Sequence, residues 1–503
     1  MNTIRELYSK LYTEKLCIDC KEREGGISHF WNALGFDNFH DIAMPELGPL
    51  WDHLGQTNIF RWLRCHGVFR DNELDSPDWK RFAAQKFCLD RMLKSGMKPI
   101  LELSRIPRPF ANPNHPLGFC GDERGWMSFV SEFVTFLLNT YGRDEVQRWY
   151  FEFWNEPDHK FWAGDQPLEW RSHSNMQIIA DYCRMYDWTA HAVRNVCPAL
   201  RVGGPAAAGN SIFIREFLLH CREGANAATG GRGAPLDFFS CHVYSNSPER
   251  FPYMANILGR LLEVRDRVPQ YYGKAIPILL TEWGITWGGG WTSEECPVEH
   301  RNTLYSAAFT LKLVKELIRF DFDVALFWGF SEWTWNRNTR TDFNGQRALF
   351  TNSHLERPAV AAYRLLDKLQ GESCRVHRMT DTNNVDALCC MAAKRLDVVF
   401  WHHDPDPFGR AYPSKTEIIL EHVPAGKAIL RLEGWTREHN TYAEWVRLGR
   451  PRQPSEAQRS QIESFSRPKL LRDEQVVVES GMFATGEFFI HPDECYHLEL
   501  RWE

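Results

Sequence analysis

Two glutamates follow short apolar runs of the chain, and each stands beside aromatic residues. Glu156 belongs to the segment WNEP at 154–157, and Glu282 belongs to TEW at 281–283. Such a pair suits the hydrolysis of a glycosidic bond, because one carboxylic acid can protonate the leaving oxygen while the other carboxylate attacks the anomeric carbon. The retaining form of this reaction needs the two carboxyl groups about 5–5.5 Å apart. The residues therefore predict this chemistry, provided that the fold brings the two glutamates together.

The runs that carry these glutamates belong to a regular series. Short apolar runs flanked by turn residues predict eight buried strands, and amphipathic stretches between them predict helices. A strand that alternates with a helix eight times indicates a (β/α)8 (TIM) barrel over residues 28–370, an α/β fold. Glu156 then closes the fourth strand and Glu282 the seventh, so both reach the mouth formed by the strand ends. The predicted strands are 28–33, 58–65, 98–104, 148–155, 200–205, 237–243, 277–282 and 323–330, and the predicted helices include 126–141, 174–195, 255–267, 301–319 and 357–370.

The character of the sequence changes after residue 370. Short runs of alternating apolar and polar residues predict an antiparallel β-sandwich over 371–503, interrupted at 438–463 by a loop with a short helix. No long linker separates the two regions, so we expect this accessory domain to pack against the barrel. Residues 1–27 form an N-terminal extension, which we expect to pack on the sandwich.

Further polar and aromatic side chains close the predicted strands around the two glutamates. Asn155 precedes Glu156 and could hydrogen-bond a sugar hydroxyl beside the scissile bond. Tyr244 could hydrogen-bond Glu282 and keep it ionised. Trp328 could form the floor of a sugar pocket, because a tryptophan face is flat and apolar with a polar edge. The predicted substrate-binding residues at these strand ends are His66, Asn155, His242, Tyr244 and Trp328.

The overall composition narrows the classes of partner. The 503 residues carry a net charge of −6, which argues against a general attraction to nucleic acid or to an anionic membrane. No run of about 18 apolar residues and no signal peptide stand out, and no metal-ligand spacing is evident. We expect a cytoplasmic protein that binds carbohydrate and needs no cofactor or metal. Its oligomeric state stays open, as does a secreted form whose signal peptide has been removed.

Five motifs follow one another along the predicted barrel: His66, Asn155-Glu156-Pro157, His242-x-Tyr244, Glu282-Trp283 and Phe327-Trp328. Their order resembles glycoside hydrolase family 39, in clan A, whose catalytic glutamates lie on strands four and seven. That family contains β-xylosidases and α-L-iduronidases. The resemblance covers nearly the whole chain, and the segment HNTYAEWVRLGRPRQPSEAQ at 439–458 is similar to a sandwich loop of the bacterial β-xylosidases.

The resemblance implies a role for each of the two glutamates. Glu156 would be the general acid/base and Glu282 the nucleophile of a double displacement with retention. The resemblance also implies that Asn155 and the two histidines named above bond the sugar, that Tyr244 supports Glu282, and that no cofactor takes part.

The chain departs from the family pattern at the first and last strands. After the eighth strand the family has an acidic cluster of the form S-D-x-F-E-E, whereas this chain has SEWTWN at 331–336, in which Glu332 could replace the aspartate and bind substrate. The first strand reads NALGF at 32–36 in place of a Gly-Ser-Gly run. The loop after the third strand carries Arg105 and Arg108, and an arginine fork suits a carboxylate. Arg105 is therefore a candidate contact for an acidic sugar.

The leading interpretation is an exo-acting, retaining β-D-xylosidase that releases xylose from xylo-oligosaccharides. The alternative is the same chemistry on another sugar: an α-L-arabinopyranoside, an α-L-iduronide or other uronide, or an exopolysaccharide. An exo-acting enzyme needs a closed pocket, and the loop at 284–299 could build one wall. A non-catalytic carbohydrate-binding protein would have the same fold, but the presence of both glutamates with their neighbours argues against it.

Overall fold

The computed structural model of the chain describes residues 13–69, 82–115, 118–119, 121–159, 176–244, 254–285, 299–320, 322–335, 341–380, 384–403 and 412–502. These residues form a closed barrel of eight parallel strands and a second, mostly antiparallel sheet of ten strands. Both parts of the predicted fold class are confirmed.

The barrel closes in chain order. The first strand of the chain, β1 (Thr13–Gly26), belongs to the second sheet, and the next eight strands form the barrel. Nearly every residue of these eight strands is buried, as expected for parallel strands covered on both faces. The barrel strands are β2 (Ala33–Phe36), β3 (Trp62–Cys65), β4 (Lys98–Leu103), β5 (Tyr150–Phe153), β6 (Arg201–Ala207), β7 (Phe238–Tyr244), β8 (Ile278–Gly284) and β9 (Val324–Trp328).

Helices connect the barrel strands and pack around them. The helix predicted at 126–141 begins three residues earlier, because the Asp122 side chain caps it by accepting a hydrogen bond from the backbone N–H of Gly125 at 2.9 Å. None of the helices in the described part of the chain is long and apolar enough to cross a membrane. The helices are α1 (Gly48–Thr57), α2 (Ala83–Lys94), α3 (Glu123–Tyr141), α4 (Arg143–Val146), α5 (Met176–Val196), α6 (Ser211–Glu223), α7 (Met254–Tyr272), α8 (Glu299–Asn302), α9 (Tyr305–Ile318), α10 (Glu332–Trp335) and α11 (Val360–Leu366).

The position of the first barrel strand differs from the prediction. The prediction of a strand at 28–33 was wrong, because the strand begins at Ala33. Phe30 and Trp31 are buried beside the barrel and contribute to its core without extending β2. Gly35 fixes the strand position, since a Cβ at residue 35 would overlap the indole ring of Trp328. The apolar residues before β2 therefore pack in the core without joining the sheet. The strand begins later, where Gly35 leaves room for the Trp328 ring.

The second sheet folds over on itself into two layers. The rings of Phe400 and Phe488 lie 5.8 Å apart although their strands are distant in the strand order. β1 runs between β10 and β13, antiparallel to the first and parallel to the second, so this sheet contains one parallel pair. Alternate residues of β1 and β13 are buried, which gives the sheet one apolar face. The strands are β10 (Glu372–Arg378), β11 (Val385–Ala392), β12 (Arg395–His402), β13 (Ser414–Glu421), β14 (Gly426–Trp435), β15 (Lys469–Val478), β16 (Met482–Ala484), β17 (Phe488–Ile490) and β18 (Cys495–Trp502).

The two regions share one apolar interface. Val399 and Trp401 of β12 belong to the same buried cluster as the barrel helices. Lys312 of α9 donates to Asp386 of β11 at 3.0 Å. The predicted loop at 438–463 forms two helices, α12 (Thr441–Arg447) and α13 (Glu456–Ser464), each with a side-chain cap at its start. The second domain therefore packs directly against the barrel.

Candidate active site

The two glutamates predicted to do chemistry lie at the mouth of the barrel. Glu282 is part of β8, and Glu156 lies in the turn that follows β5. That turn has a left-handed backbone at Trp154 (φ 71°) and Glu156 (φ 44°), a conformation that non-glycine residues adopt at a cost of about 1–2 kcal/mol each. The backbone N–H of Glu156 donates to the carbonyl of Ala206 on β6 at 3.0 Å, which ties the turn to the neighbouring strand. The strained turn is thus held with Glu156 in place.

The mouth brings the carboxyl groups of Glu156 and Glu282 together. An oxygen of each carboxylate and a ring nitrogen of His242 all lie within 4.8 Å of one another. The two glutamates are only 8% and 5% exposed, so their charges are poorly screened by water. Two buried carboxylates this close cannot readily both be ionised, and their surroundings decide which of them keeps a proton.

Hydrogen-bond donors surround the carboxylate of Glu282. The hydroxyl of Tyr244 donates to its Oε2 at 2.6 Å, which is the hydrogen bond expected from the sequence. Arg64 Nη1 donates to its Oε1 at 3.1 Å, and His66 Nε2 lies 3.6 Å from the same oxygen. Donors to a carboxylate favour its charged form and fix its orientation. These contacts fix the direction in which the Glu282 oxygens point.

The surroundings of Glu156 are different. Burial raises the pKa of Glu156, although nearby histidines and arginines oppose the shift. Its Oε1 shares a hydrogen bond of 2.8 Å with Nδ1 of His242. Burial lowers the pKa of His242 to about 3, so this imidazole is neutral at ordinary pH. His242 was expected to bond the sugar, and the structure places it against Glu156, with its Nδ1 3.6 Å from Glu282.

Sequence reasoning gave no role to Arg64, which organises the site from below. Its guanidinium is fully buried and contacts Glu152 at 2.5 Å, Glu102 at 2.9 Å and Glu282 at 3.1 Å. Burial alone would lower the pKa of Arg64, but the three carboxylates outweigh it and raise that pKa. Each of the neighbouring strands β3, β4 and β5 contributes one charged residue to this network from within an apolar run. A charged residue inside such a run was the available signal, since charges are rarely buried unless they are paired.

The remaining strand-end residues lie around the same network. His66 Nδ1 contacts Glu102 at 2.6 Å. Burial alone would lower the pKa of His66, but the charge of Glu102 outweighs burial, so the pKa of His66 is raised. The ring of Trp328 lies 4.4 Å from that of His66 and is only 2% exposed, so the indole supports the histidine from within the barrel. Asn155 Oδ1 accepts from Arg64 at 2.8 Å. Because arginine only donates, this bond orients the amide so that its NH2 group remains to donate elsewhere.

Two predicted substrate contacts lie outside this cluster. Glu332 is fully buried, accepts from the backbone N–H of Asn344 at 3.1 Å and lies 3.4 Å from Arg357. Burial raises the pKa of Glu332 to about 8, and its contacts are with the chain that follows β9. Arg105 is exposed, has a left-handed backbone (φ 62°) and packs over Gly67. Most of the predicted pocket wall at 284–299 lies outside the described residues.

Glu156, His242 and Glu282 are also close enough to surround one metal ion. Two carboxylates and an imidazole suit a divalent cation such as zinc. The hydrogen bonds of Glu282 to Tyr244 and Arg64 already occupy its oxygens, however, so the chemistry of the pair is accounted for by protein groups. The expectation that no cofactor is needed stays a prediction.

Comparison with known proteins identifies the relatives of this site. The sequence profile of glycosyl hydrolases family 39 matches residues 15–479. The chain belongs to glycosyl hydrolase family 39. This family 39 protein is 25% identical over 494 residues to a β-xylosidase of Caldicellulosiruptor saccharolyticus, across 92% of this chain and 93% of that protein. It is 24% identical to the α-L-iduronidase of Homo sapiens over 73% of this chain and 58% of that protein.

Solved structures show the same fold. The crystal structure of a monomeric β-xylosidase from Caulobacter crescentus CB15 matches this family 39 chain with a TM-score of 0.79 and 20% identity, over 97% of this chain and 99% of that one. The GH39 enzyme from Xanthomonas axonopodis pv. citri matches with a TM-score of 0.77 and 20% identity, over 97% of each chain. As a member of this family, the protein is a glycosidase that hydrolyses O-glycosyl bonds.

Proposed function

We propose that this chain is a retaining, exo-acting β-D-xylosidase that releases xylose from xylo-oligosaccharides by double displacement. The observation that carries the proposal is the pairing of Glu156 and Glu282, because one oxygen of each carboxylate lies within 4.8 Å of the other. This close approach supports the retaining mechanism, in which the carboxyl groups lie about 5–5.5 Å apart, over the inverting mechanism, in which about 6.5–9.5 Å admits a water.

The different surroundings of the two carboxyl groups suggest their roles. Glu282 receives hydrogen bonds from Tyr244 and Arg64, which favour the anion that a nucleophile must be. Burial raises the pKa of Glu156, which favours the protonated form that a general acid needs. We assign Glu282 as the nucleophile and Glu156 as the acid/base, with His66 and Asn155 beside the bound sugar.

The reaction follows in two displacements. In the first, Glu156 gives its proton to the glycosidic oxygen, the bond from that oxygen to the anomeric carbon breaks, and Glu282 forms a bond to that carbon. The loss of charge on Glu282 removes the repulsion that had favoured the protonated form of Glu156, so Glu156 stays a carboxylate after it has given up its proton and can act as the base. In the second, water attacks the anomeric carbon and gives a proton to Glu156 while the bond to Glu282 breaks. Tyr244 and Arg64 then receive the released carboxylate.

The assignment of xylose is supported by the β-xylosidase relatives, which are 25% and 26% identical over 92% and 80% of this chain. The test is the hydrolysis of an aryl-glycoside panel: β-D-xyloside, α-L-arabinopyranoside, β-D-glucoside and α-L-iduronide. We expect turnover of the xyloside, its abolition in Glu282→Gln, and full activity in Glu438→Gln, whose residue is exposed. Turnover of another sugar alone would refute the xylose assignment, and unchanged activity in Glu282→Gln would refute the site.

A second substrate class, the uronides, is favoured by one observation. The guanidinium carbon of Arg347 lies 5.0 Å from the centre of the Tyr244 ring, and its charge lowers the pKa of Glu156. A cation beside the bound sugar suits a carboxylate at that position. Replacement of Arg347 by methionine would then abolish iduronide hydrolysis while xyloside hydrolysis persists.

A further inference from the structure

A cavity of about 680 Å³ opens beside Glu156. Glu156, His242 and Tyr244 line it together with exposed residues of α7. Glu282 is not among the lining residues, so the cavity lies on one side of the carboxylate pair only. The cavity is therefore in contact with Glu156 but not with Glu282.

The proposed roles of the two glutamates give this asymmetry a chemical meaning. The acid/base touches the glycosidic oxygen, which stays with the leaving group, whereas the nucleophile touches the anomeric carbon of the sugar that is retained. A cavity that is lined by Glu156 and not by Glu282 is therefore suited to the leaving group. This step rests on the proposed function.

One wall of the cavity is the loop after β6, which is hydrogen-bonded to the turn that carries Glu156. The buried carboxylate of Asp158, two residues after Glu156, accepts from the backbone N–H groups of Ala208, Gly209 and Asn210 at 2.8, 3.0 and 2.8 Å. These bonds join the turn that carries Glu156 to the loop that follows β6. The leaving-group side of the site is thus fixed relative to the acid/base.

A single arginine presents its charge from α7 over this loop. Arg260 lies against Gly209, where a Cβ would overlap its Nη1 and where the backbone φ of 118° suits glycine. Its Nη1 makes one long bond, 3.4 Å, to the carbonyl of Ala208. Within the part of the chain that the structure describes, no carboxylate forms an ion pair with Arg260. Glu263, which also lines the cavity, is paired with Arg267.

We propose that this cavity is the leaving-group subsite and that Arg260 binds a carboxylate carried by the leaving sugar. The favoured substrate is then a glycoside whose leaving unit is a uronic acid. Because no carboxylate among the described residues pairs with it, Arg260 can present its planar fork for bidentate recognition of such a group. The lining amides of Asn210 and Asn256 are suited to the hydroxyls of the same sugar.

Transfer from the glycosyl-enzyme to an added sugar tests this subsite directly. An aryl β-D-xyloside glycosylates Glu282 and releases the phenol; an acceptor hydroxyl in the cavity then attacks the anomeric carbon, its proton passes to Glu156, and the bond to Glu282 breaks. Glucose and glucuronate serve as acceptors because they differ only in the oxidation of C6. We expect at least about fivefold more transfer to glucuronate at low salt, with the preference reduced as the ionic strength rises.

Matched variants on α7 assign the preference to one residue. Arg260→Gln should bring the ratio of glucuronate to glucose transfer close to one, whereas Arg265→Gln, whose side chain is 41% exposed and does not line the cavity, should leave the ratio as it is. Equal transfer in the wild type, or a preference that survives Arg260→Gln, would overturn the proposal.

If no aryl glycoside is turned over, the proposed function fails by itself. Saturation-transfer NMR with glucuronate and glucose then decides the subsite, because preferential glucuronate binding that is lost in Arg260→Gln supports it and its absence overturns it.

Discussion

Glu156 and Glu282 are the same amino acid and lie close together, yet their neighbours differ in the way that the proposed mechanism requires. Tyr244 and Arg64 donate to Glu282, whereas the partner of Glu156 is the neutral imidazole of His242. Hydrogen-bond donors around a carboxyl group favour its ionised form. Burial without such donors favours its protonated form. The environment of each residue therefore sets its chemistry.

Replacement of the acid/base tests this division of roles. Glu156→Ala should lower kcat/KM by about 10²–10⁴ for xylosides with poor leaving groups and far less for activated aryl xylosides, because only the former need protonation. Azide, which needs no general base, should restore the second step and form a β-xylosyl azide. Steady-state kinetics and identification of the product measure both effects. Equal losses on all substrates without an azide product would contradict the assignment, with Glu438→Ala as the surface control.

The raised pKa of Glu156 predicts two dependences on pH. Because the acid must be protonated, kcat/KM for a phenyl xyloside should fall as the pH rises through the pKa of Glu156, at a pH above the usual range of glutamate. A carboxyl group whose pKa is raised on folding stabilises the fold fully below its unfolded pKa, and that contribution is lost as the pH rises through the folded pKa. Glu156→Gln should therefore gain stability relative to the wild type as the pH increases.

Two measurements separate these effects. A pH–rate profile of Glu156→Ala should lack the basic limb, and urea unfolding at pH 4 and pH 8 should show the gain of Glu156→Gln only at the higher pH. A stability difference that is the same at both values would show that folding leaves the pKa of Glu156 unshifted.

At the scale of secondary structure, β3, β4 and β5 are linked by a charge network as well as by backbone hydrogen bonds. Arg64 of β3 contacts Glu102 of β4 and Glu152 of β5, and all three side chains are at most 1% exposed. Removal of one member of a buried ionic network leaves uncompensated charge. The base of the active site is therefore also a structural element of the barrel.

Arg64→Met should accordingly destabilise the fold by about 3–5 kcal/mol, since it leaves three buried carboxylates without their cation. The second change Glu152→Gln should recover part of this loss, because it removes one of those charges. Chemical denaturation of the single and double variants measures both values. Arg148→Met, at a side chain that is 62% exposed, is the control and should have little effect. A double variant that is less stable than Arg64→Met would contradict this account.

The sequence predicted the features that depend on neighbouring residues. It missed those that depend on contacts between residues far apart in the chain. Eight apolar runs and the motifs around Glu156 and Glu282 were sufficient to predict the barrel and the residues at its mouth. The start of β2 depends on contact between Gly35 and Trp328, which are almost 300 residues apart. The role of Arg64 likewise depends on partners from two other strands, and pairing between distant side chains has no periodic signature. Local patterns therefore predicted the topology of the barrel. The ionic network around Arg64 became visible only in the three-dimensional structure.

At the scale of the whole molecule, the second domain contacts a loop of the barrel that leads to the active site. The rings of Trp445 on α12 and Phe343 lie 5.2 Å apart, and the hydroxyl of Thr441 donates to the carbonyl of Glu356 at 2.7 Å. Residues 341–357 between these contacts carry Arg347, whose guanidinium lies over Tyr244. The sandwich thus supports one side of the catalytic mouth.

Loss of this support should reduce activity from a distance. Trp445→Ala should lower kcat/KM about 2- to 30-fold through displacement of the loop, a range set by coupling energies of about 0.5–2 kcal/mol. Val446→Ala changes a 36%-exposed residue of the same helix and should leave kcat/KM unchanged. Kinetics on an aryl xyloside, with circular dichroism to verify the fold, measure the effect. Unaltered kinetics in a folded Trp445→Ala enzyme would show that the sandwich does not influence the mouth.

The position of β1 has a consequence for how the protein is made. Leu16 pairs with Arg378 on one side and with Ile418 on the other, so the neighbours of β1 are translated only after the complete barrel. While the ribosome makes the intervening residues, the barrel can close, but β1 has an apolar face and free edges with no partner, which is a state open to wrong association. Protection of this segment during synthesis, by a chaperone or by the nascent barrel, would raise the yield of active enzyme. β1 thus leaves the ribosome before every barrel strand, yet it can enter its sheet only after all of them have been made.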